Sequence, residues 1–187
     1  MNISPIRCQW VNQDPEYIAY HDNEWGKPMR DNQQLFEMIC LEGQQAGLSW
    51  YTILKKRQGY QELFHQFIPE RVALMNEEDV ERLMQDPRIV RHRAKINAII
   101  SNAKAYLQMA ENGEEFSTFL WQFVNHQPIV NQWEISSQIP VETEISTALS
   151  KALKKRGFKF VGSITCYAFM QATGMINDHL ISCCQYK

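Results

Sequence analysis

The chain has 187 residues, 44% hydrophobic and 21% charged, with a formal net charge of −2 from 19 basic and 21 acidic residues. That length fits one domain or at most two, and the apolar content excludes disorder as the main state. The near-neutral balance argues against a general nucleic-acid coat protein. No apolar run nears the roughly 18 residues of a membrane span, and the opening MNISPIRCQW has no signal-peptide core, so a cytoplasmic protein is expected.

Helical periods dominate. Asp14-Pro15 reads as an N-cap followed by proline at the first helical position, opening a helix to about Trp25. A second helix is predicted from about Asn32 to Ala46, stopping at Gly47. Asn76, with Asp79 three residues on, is a weaker version of a capping box before Val80 and Leu83. Residues 92–110 carry Ile96, Ile99, Ile100, Ala103 and Leu107 on one helical face. A further helix runs from about Glu144 to Arg156 and stops at Gly157. After the turn GFKFVG an apolar helix begins near Val161 and reaches about Thr173, and a short last helix follows Asn177-Asp178. Strand signals are weak, and residues 128–143 read as loop. The expected class is all-α.

Four constellations could carry chemistry. Five cysteines, at 8, 40, 166, 183 and 184, in a chain without an export signal argue against a disulfide framework. His179 and Cys183 stand at i and i+4, one helical turn apart, whereas Cys184 points elsewhere; Cys8 and His21 are separated by twelve residues. Together they make a Cys2His2 set suited to a closed, structural zinc that would tie the two ends together. The alternative is buried thiols and ordinary histidines.

Charge is segregated. Residues 88–95 carry Arg88, Arg91, Arg93 and Lys95 without an acid, and residues 151–159 carry Lys151, Lys154, Lys155, Arg156 and Lys159, also without one. The second run surrounds KKRGFKFVG, in which Gly157 and Gly162 bracket Lys159 in a tight hairpin. Backbone N–H groups at a helix start bind phosphate, and glycine allows close approach, so the geometry suits a helix-hairpin-helix that grips a DNA backbone. The alternative is a plain glycine-capped connection with solvated lysines. A weaker candidate for DNA contact is Lys55, Lys56 and Arg57.

Glu42 lies i+3 from Ile39 and i+4 from Met38, which puts a carboxylate on an apolar helix face. Such a placement is costly without a partner and is common at functional sites. Trp10, Tyr17, Tyr20, Trp25, Trp50 and Tyr51 crowd the first two helices. Aromatic rings around a carboxylate could hold a flat cation by stacking and charge pairing; the plainer reading is that they are core.

The segments CQWVNQDPEYIAYHDNEWG, LFEMICLEGQQAGLSW, ALSKALKKRGFKFVG and INDHLISCC, in that order, closely resemble the DNA-3-methyladenine glycosylase I family, and the resemblance runs from Cys8 to Cys184. It implies an all-α member of the helix-hairpin-helix glycosylase superfamily, a single unit over residues 1–187 whose central part, 32–175, carries the hairpin. It implies a monofunctional enzyme that flips 3-methyladenine from alkylated double-stranded DNA, hydrolyses the N-glycosidic bond and releases the free base, with one structural Zn2+; a monomer is the default expectation.

Carried over residue by residue, the resemblance places zinc ligands on Cys8, His21, His179 and Cys183 and the base-recognising carboxylate on Glu42. It places the aromatic pocket on Tyr17, Tyr20, Trp25 and Trp50, and the DNA hairpin on Gly157, Lys159 and Gly162. Ala168 stands where a serine is expected in close relatives. The superfamily's catalytic aspartate is expected to be absent. Asp178 falls near its position, and we read it as structural, capping the last helix or orienting His179. Two competing readings are a DNA-binding module without enzymatic activity and a glycosylase for another alkylated purine.

Overall fold

The computed structural model describes residues 5–186. The helices among them are α1 (Pro15–Asn23), α2 (Asn32–Gln44), α3 (Trp50–Leu63), α4 (Pro69–Val72), α5 (Glu77–Leu83), α6 (Arg93–Glu111), α7 (Phe116–Trp121), α8 (Glu144–Lys155) and α9 (Ser163–Ala172). Two short parallel strands, β1 (Ile129–Val130) and β2 (Ile176–Asn177), pair Ile129 with Ile176. No helix among the described residues is long and apolar enough to cross a membrane.

Local chemistry sets the helix starts. The Asp14 carboxylate accepts from the Glu16 N–H at 2.8 Å, and Pro15 opens α1. At α5 the box closes in both directions: Asn76 Oδ1 accepts from Asp79 N at 3.2 Å, and Asp79 Oδ2 accepts from Asn76 N at 3.0 Å. An amide and a short carboxylate therefore do the work usually given to Ser and Glu.

Helix α2 is the hub. Its residues from Leu35 to Gln44 are all buried, and it packs on α3, α6, α7 and α9. Phe36, Phe64, Phe67, Trp121, Phe158 and Phe169 fill the space around it. Two polar anchors fix its neighbours: Trp121 Nε1 donates to the Met29 carbonyl at 2.8 Å, and the Asp31 carboxylate caps the helix start.

The structure departs from the sequence reading in three places. The sequence reading contains no counterpart of α3, α4 or α7. The short last helix does not exist: after β2 the chain is irregular through Leu180 and then turns. The second hairpin helix starts at Ser163, two residues later than expected.

Candidate active site

A cavity of about 540 Å³ opens between α1, α2, the start of α3, α9 and residues 136–141. Tyr17, Tyr20, Trp25, Trp50 and Glu42 all line it, so the structure brings the whole nominated pocket together. The rings form a continuous wall: Tyr20 lies 5.4 Å from Trp50, and Trp10 lies 5.1 Å from Tyr17 and 5.0 Å from Trp25, centroid to centroid. Trp10, noted in the sequence only for aromatic density, is part of this wall. Tyr167 and Gln171 of α9 also line it and were missed; their signal was an α9 face too apolar to distinguish from core. Ala168 lies on the same face, so no hydroxyl is offered there.

Two buried carboxylates on α2 differ in kind. Glu37 accepts from Arg57 Nε at 3.0 Å and Gln61 Nε2 at 2.9 Å. Glu42 is 4% exposed, and its Oε2 has no hydrogen-bond partner. Burial alone pushes its carboxyl up to about 8. Trp50 Nε1 is also buried without a partner. Both side chains line one aromatic cavity, and an unpaired acceptor and an unpaired donor in its wall call for a ligand that carries both complements.

Asp178 backs the α9 wall. Its Oδ1 accepts from Asn131 Nδ2 and Trp133 Nε1, both at 2.7 Å, and its Oδ2 accepts from Tyr167 Oη at 2.5 Å and Gln171 Nε2 at 2.9 Å. Four donors occupy the carboxylate, which is fully buried. It caps no helix, because none follows it; it locks the 131–133 loop to α9.

Behind the ring wall sit Cys8, His21, His179 and Cys183, all buried, with ligand atoms within 4.8 Å of one another. This donor set could hold a metal ion. Cys183 Sγ lies 3.4 Å from His21 Nε2 and 3.5 Å from His179 Nδ1, and Cys8 Sγ lies 3.6 Å from His179 Nδ1. A turn, not a helix, presents Cys183: its N–H donates to the Leu180 carbonyl at 2.8 Å. The outer ring nitrogens are held, His21 Nδ1 against Asp22 Oδ1 at 2.7 Å and His179 Nε2 against the Trp25 carbonyl at 3.1 Å. The cluster and the cavity share a wall, since Trp10 packs edge-on against His21 at 5.2 Å and Trp25 against His179 at 4.6 Å.

The hairpin joins α8 to α9. Gly157 adopts φ +93°, its N–H donates to the Lys154 carbonyl and the Phe158 N–H donates to the Leu153 carbonyl, the paired bonds of a Schellman stop. Asn102 of α6 brackets the turn: its Oδ1 accepts from Lys159 N at 2.7 Å and its Nδ2 donates to Lys159 O at 3.3 Å. Gly157 and Lys159 are exposed, Gly162 is half-buried, and no side chain caps the start of α9. Lys55 and Arg57 are engaged elsewhere, Lys55 with Asp14 and Glu16, Arg57 with Glu24 and Glu37, and Lys56 Nζ donates to the Pro87 carbonyl.

A ring-walled cavity in a helical fold, with an unpaired carboxylate in its wall and a buried thiol–imidazole cluster behind it, has the form of a binding site for a flat ligand. The chain belongs to the methyladenine glycosylase family, whose model matches residues 10–186. It is 67% identical over 180 residues to DNA-3-methyladenine glycosylase 1 of Escherichia coli K12, covering 96% of each chain. A crystal structure of a 3-methyladenine DNA glycosylase I superposes with TM-score 0.96 at 62% identity, over 97% of this chain and all of that one. A second solved relative, a 3-methyladenine DNA glycosylase I from Staphylococcus aureus described for its recognition of 3-methyladenine, gives TM-score 0.93 at 44% identity, over 97% and 96% of the two chains.

Proposed function

We propose that this protein is a monofunctional DNA glycosylase that flips 3-methyladenine out of alkylated duplex DNA and hydrolyses its N-glycosidic bond, opening base excision repair. The observation that carries the reading is the pair of unpaired polar atoms, Glu42 Oε2 and Trp50 Nε1, on two residues that line the aromatic cavity. A methylated adenine offers N–H donors to the carboxylate, an acceptor to the indole and a flat face to Tyr17, Tyr20, Trp25 and Trp50.

Methylation at N3 makes the base in DNA a cation and a good leaving group. Water bonds to C1′, the C1′–N9 bond breaks with its electron pair passing to the base, the base leaves neutral, and the proton of water goes to solvent. No general acid is required. Glu42 favours the cationic base electrostatically, and the rings fix its plane. Asp178, with four donors on its oxygens, holds Tyr167 and Gln171 in place and takes no proton.

Three further features belong to the reading. The exposed hairpin of Gly157, Lys159 and Gly162, with uncapped N–H groups at α9, is suited to grip the phosphate backbone. The Cys2His2 set suits one structural Zn2+: a tetrahedral ion with Zn–S of about 2.3 Å and Zn–N of about 2.05 Å gives S···N edges of about 3.6 Å, and three of the four S···N edges, Cys8–His179, Cys183–His21 and Cys183–His179, are 3.4–3.6 Å here. The held outer nitrogens are the orientation such ligands need. The chain works as one unit, a cytoplasmic monomer with duplex DNA as partner and free 3-methyladenine as product.

The test is release of free bases from methylated duplex DNA by wild type and Glu42→Gln side by side. Release of 3-methyladenine by wild type, diminished in the variant, is expected. No release from a folded, zinc-replete sample would overturn the enzyme reading and leave a DNA-binding module. Preferential release of another alkylated purine would replace the substrate.

A further inference from the structure

Of the basic run 88–95, Arg88 pairs with Asp86 and Glu62, and Arg93 with Glu77 and Glu81, all at the surface. Lys95 does something else. It is 5% exposed and meets no carboxylate among the described residues; its Nζ donates to the backbone carbonyls of Gln44 at 2.8 Å and Ala46 at 2.6 Å. Gln44 returns the contact, its Nε2 donating to the Lys95 carbonyl at 3.1 Å, while its Oε1 accepts from Tyr60 Oη at 3.2 Å. Tyr60 Oη accepts in turn from the Val90 N–H at 3.1 Å.

Burying an ammonium without a counter-ion is costly, and an apolar side chain of the same length would fill the space at less cost. What the ammonium adds is a hold on carbonyls that a helix end leaves unpaired, at the negative end of the α2 dipole. Those carbonyls lie between Glu42 and Trp50. The residues linking the two include Gly47, at φ +77°, and the exposed Leu48; inside the link the Leu48 N–H donates to the Gln45 carbonyl at 2.6 Å and Ser49 caps α3, and Lys95 adds a tie from another helix. Gln45 and Ser49, also in this stretch, line the cavity.

We propose that Lys95 is a positioning residue: by clamping the turn between α2 and α3 it sets where Glu42 and Trp50 stand across the base pocket. The proposal rests on the reading that these two groups contact the base. It acts through backbone carbonyls, so its loss alters base recognition through Glu42 and Trp50 while leaving the hairpin and the rings of Trp10, Tyr17, Tyr20 and Trp25 in place.

The test is a fluorescence titration with free 3-methyladenine on wild type, Glu42→Gln, Lys95→Met and Lys95→Gln, with melting temperature and affinity for undamaged duplex measured on each. Lys95→Met is expected to fold and to bind undamaged duplex like wild type. Its affinity for the base should weaken by about tenfold, the base-free tryptophan emission should shift, and kcat/KM for excision should fall in step. Lys95→Gln, with one neutral donor of shorter reach, should fall between. A lowered melting temperature with unchanged base affinity per folded molecule would overturn the proposal. So would failure of both variants to fold, which would make Lys95 a determinant of the whole fold. Equal base affinity in wild type and Glu42→Gln would overturn the pocket reading itself, separately from any result at Lys95.

Discussion

A side-chain carbon on Gly43 would lie 3.2 Å from both the Cβ and the carbonyl oxygen of Phe160. The residue after the pocket carboxylate and the tip of the α8–α9 hairpin are thus in direct contact. Phe160 holds φ +55°, a conformation costly for an aromatic residue, and Asn102 and Ser150 fix the backbone on either side of it.

Gly43→Ala tests that contact. Helix propensity favours alanine by about 1 kcal/mol, and the clash opposes it. Because one obstructing atom is the Phe160 carbonyl, whose neighbours Lys159 and Val161 are held by Asn102 and Ser150, we expect the clash to win. Melting temperature and excision from DNA should both fall, with free-base affinity less affected. A more stable variant with full excision would show that the hairpin moves freely over α2.

Glu42→Gln should change the pH dependence of stability. The folded carboxyl sits at about 8, against an ordinary value of 4.5. The folded state therefore keeps a proton that the unfolded chain has lost, so this group's contribution is complete below about pH 4.5 and is lost as pH rises through 8. Relative to the variant, the wild-type melting temperature should decline between pH 5 and 8 and then level off. A base that donates N–H groups to the carboxyl favours its ionised form, so binding of free 3-methyladenine below pH 8 should release a proton in wild type and none in the variant. Calorimetry in buffers of different ionisation enthalpy reads this directly.

Asp178→Asn replaces two acceptor oxygens by one and turns an N–H group toward existing donors. Stability should fall by about 2–4 kcal/mol, since buried donors lose their partner. Excision should fall through displacement of Tyr167 and Gln171. Abolished excision with an unchanged melting temperature would instead make the aspartate catalytic.

Metal analysis should find one zinc per chain, and Cys183→Ser should lose it. The melting temperature is expected to drop by roughly 10 °C on metal loss, because the ion would close a loop of most of the chain. Weaker base binding should accompany it, since Trp10 and Trp25 rest on the two histidines. An equally stable metal-free protein would refute the assignment.

Lys159→Gln should weaken binding to any duplex, lower the salt dependence by about one phosphate contact and leave free-base affinity unchanged. An unaltered salt slope would remove Lys159 from the DNA interface.

What the sequence made legible was what depends on local chemistry. Asp14-Pro15, Asn76 with Asp79 and the Gly157 stop marked helix ends correctly, because caps are settled within a few residues. Glu42 stood out because a charge interrupted an apolar stripe. Helix α3 was missed because its charged positions are spent on distant partners, Lys55 on α1 and Arg57 on Glu24 and Glu37, which no local period records. The chain after Asn177 was read as helix from the His179–Cys183 spacing; the turn at Leu180 achieves the same proximity. Asp178 and Lys95 take their roles from groups 45 or more residues away in the case of Asn131 and Trp133, and about 50 away in the case of Gln44 and Ala46.

The thiol–imidazole cluster has a consequence for the order in which the protein is made. Its members stand at 8 and 21 and then at 179 and 183. Translation supplies the rings of Trp10, Tyr17, Tyr20 and Trp25 and then Glu42, while the imidazole behind Trp25 comes 154 residues after it. A nascent chain halted before His179 carries these rings and the carboxylate but lacks the support on which Trp25 rests. The cage therefore becomes rigid only after His179 has been read, and a product terminated before it keeps the recognition groups without the frame that aligns them.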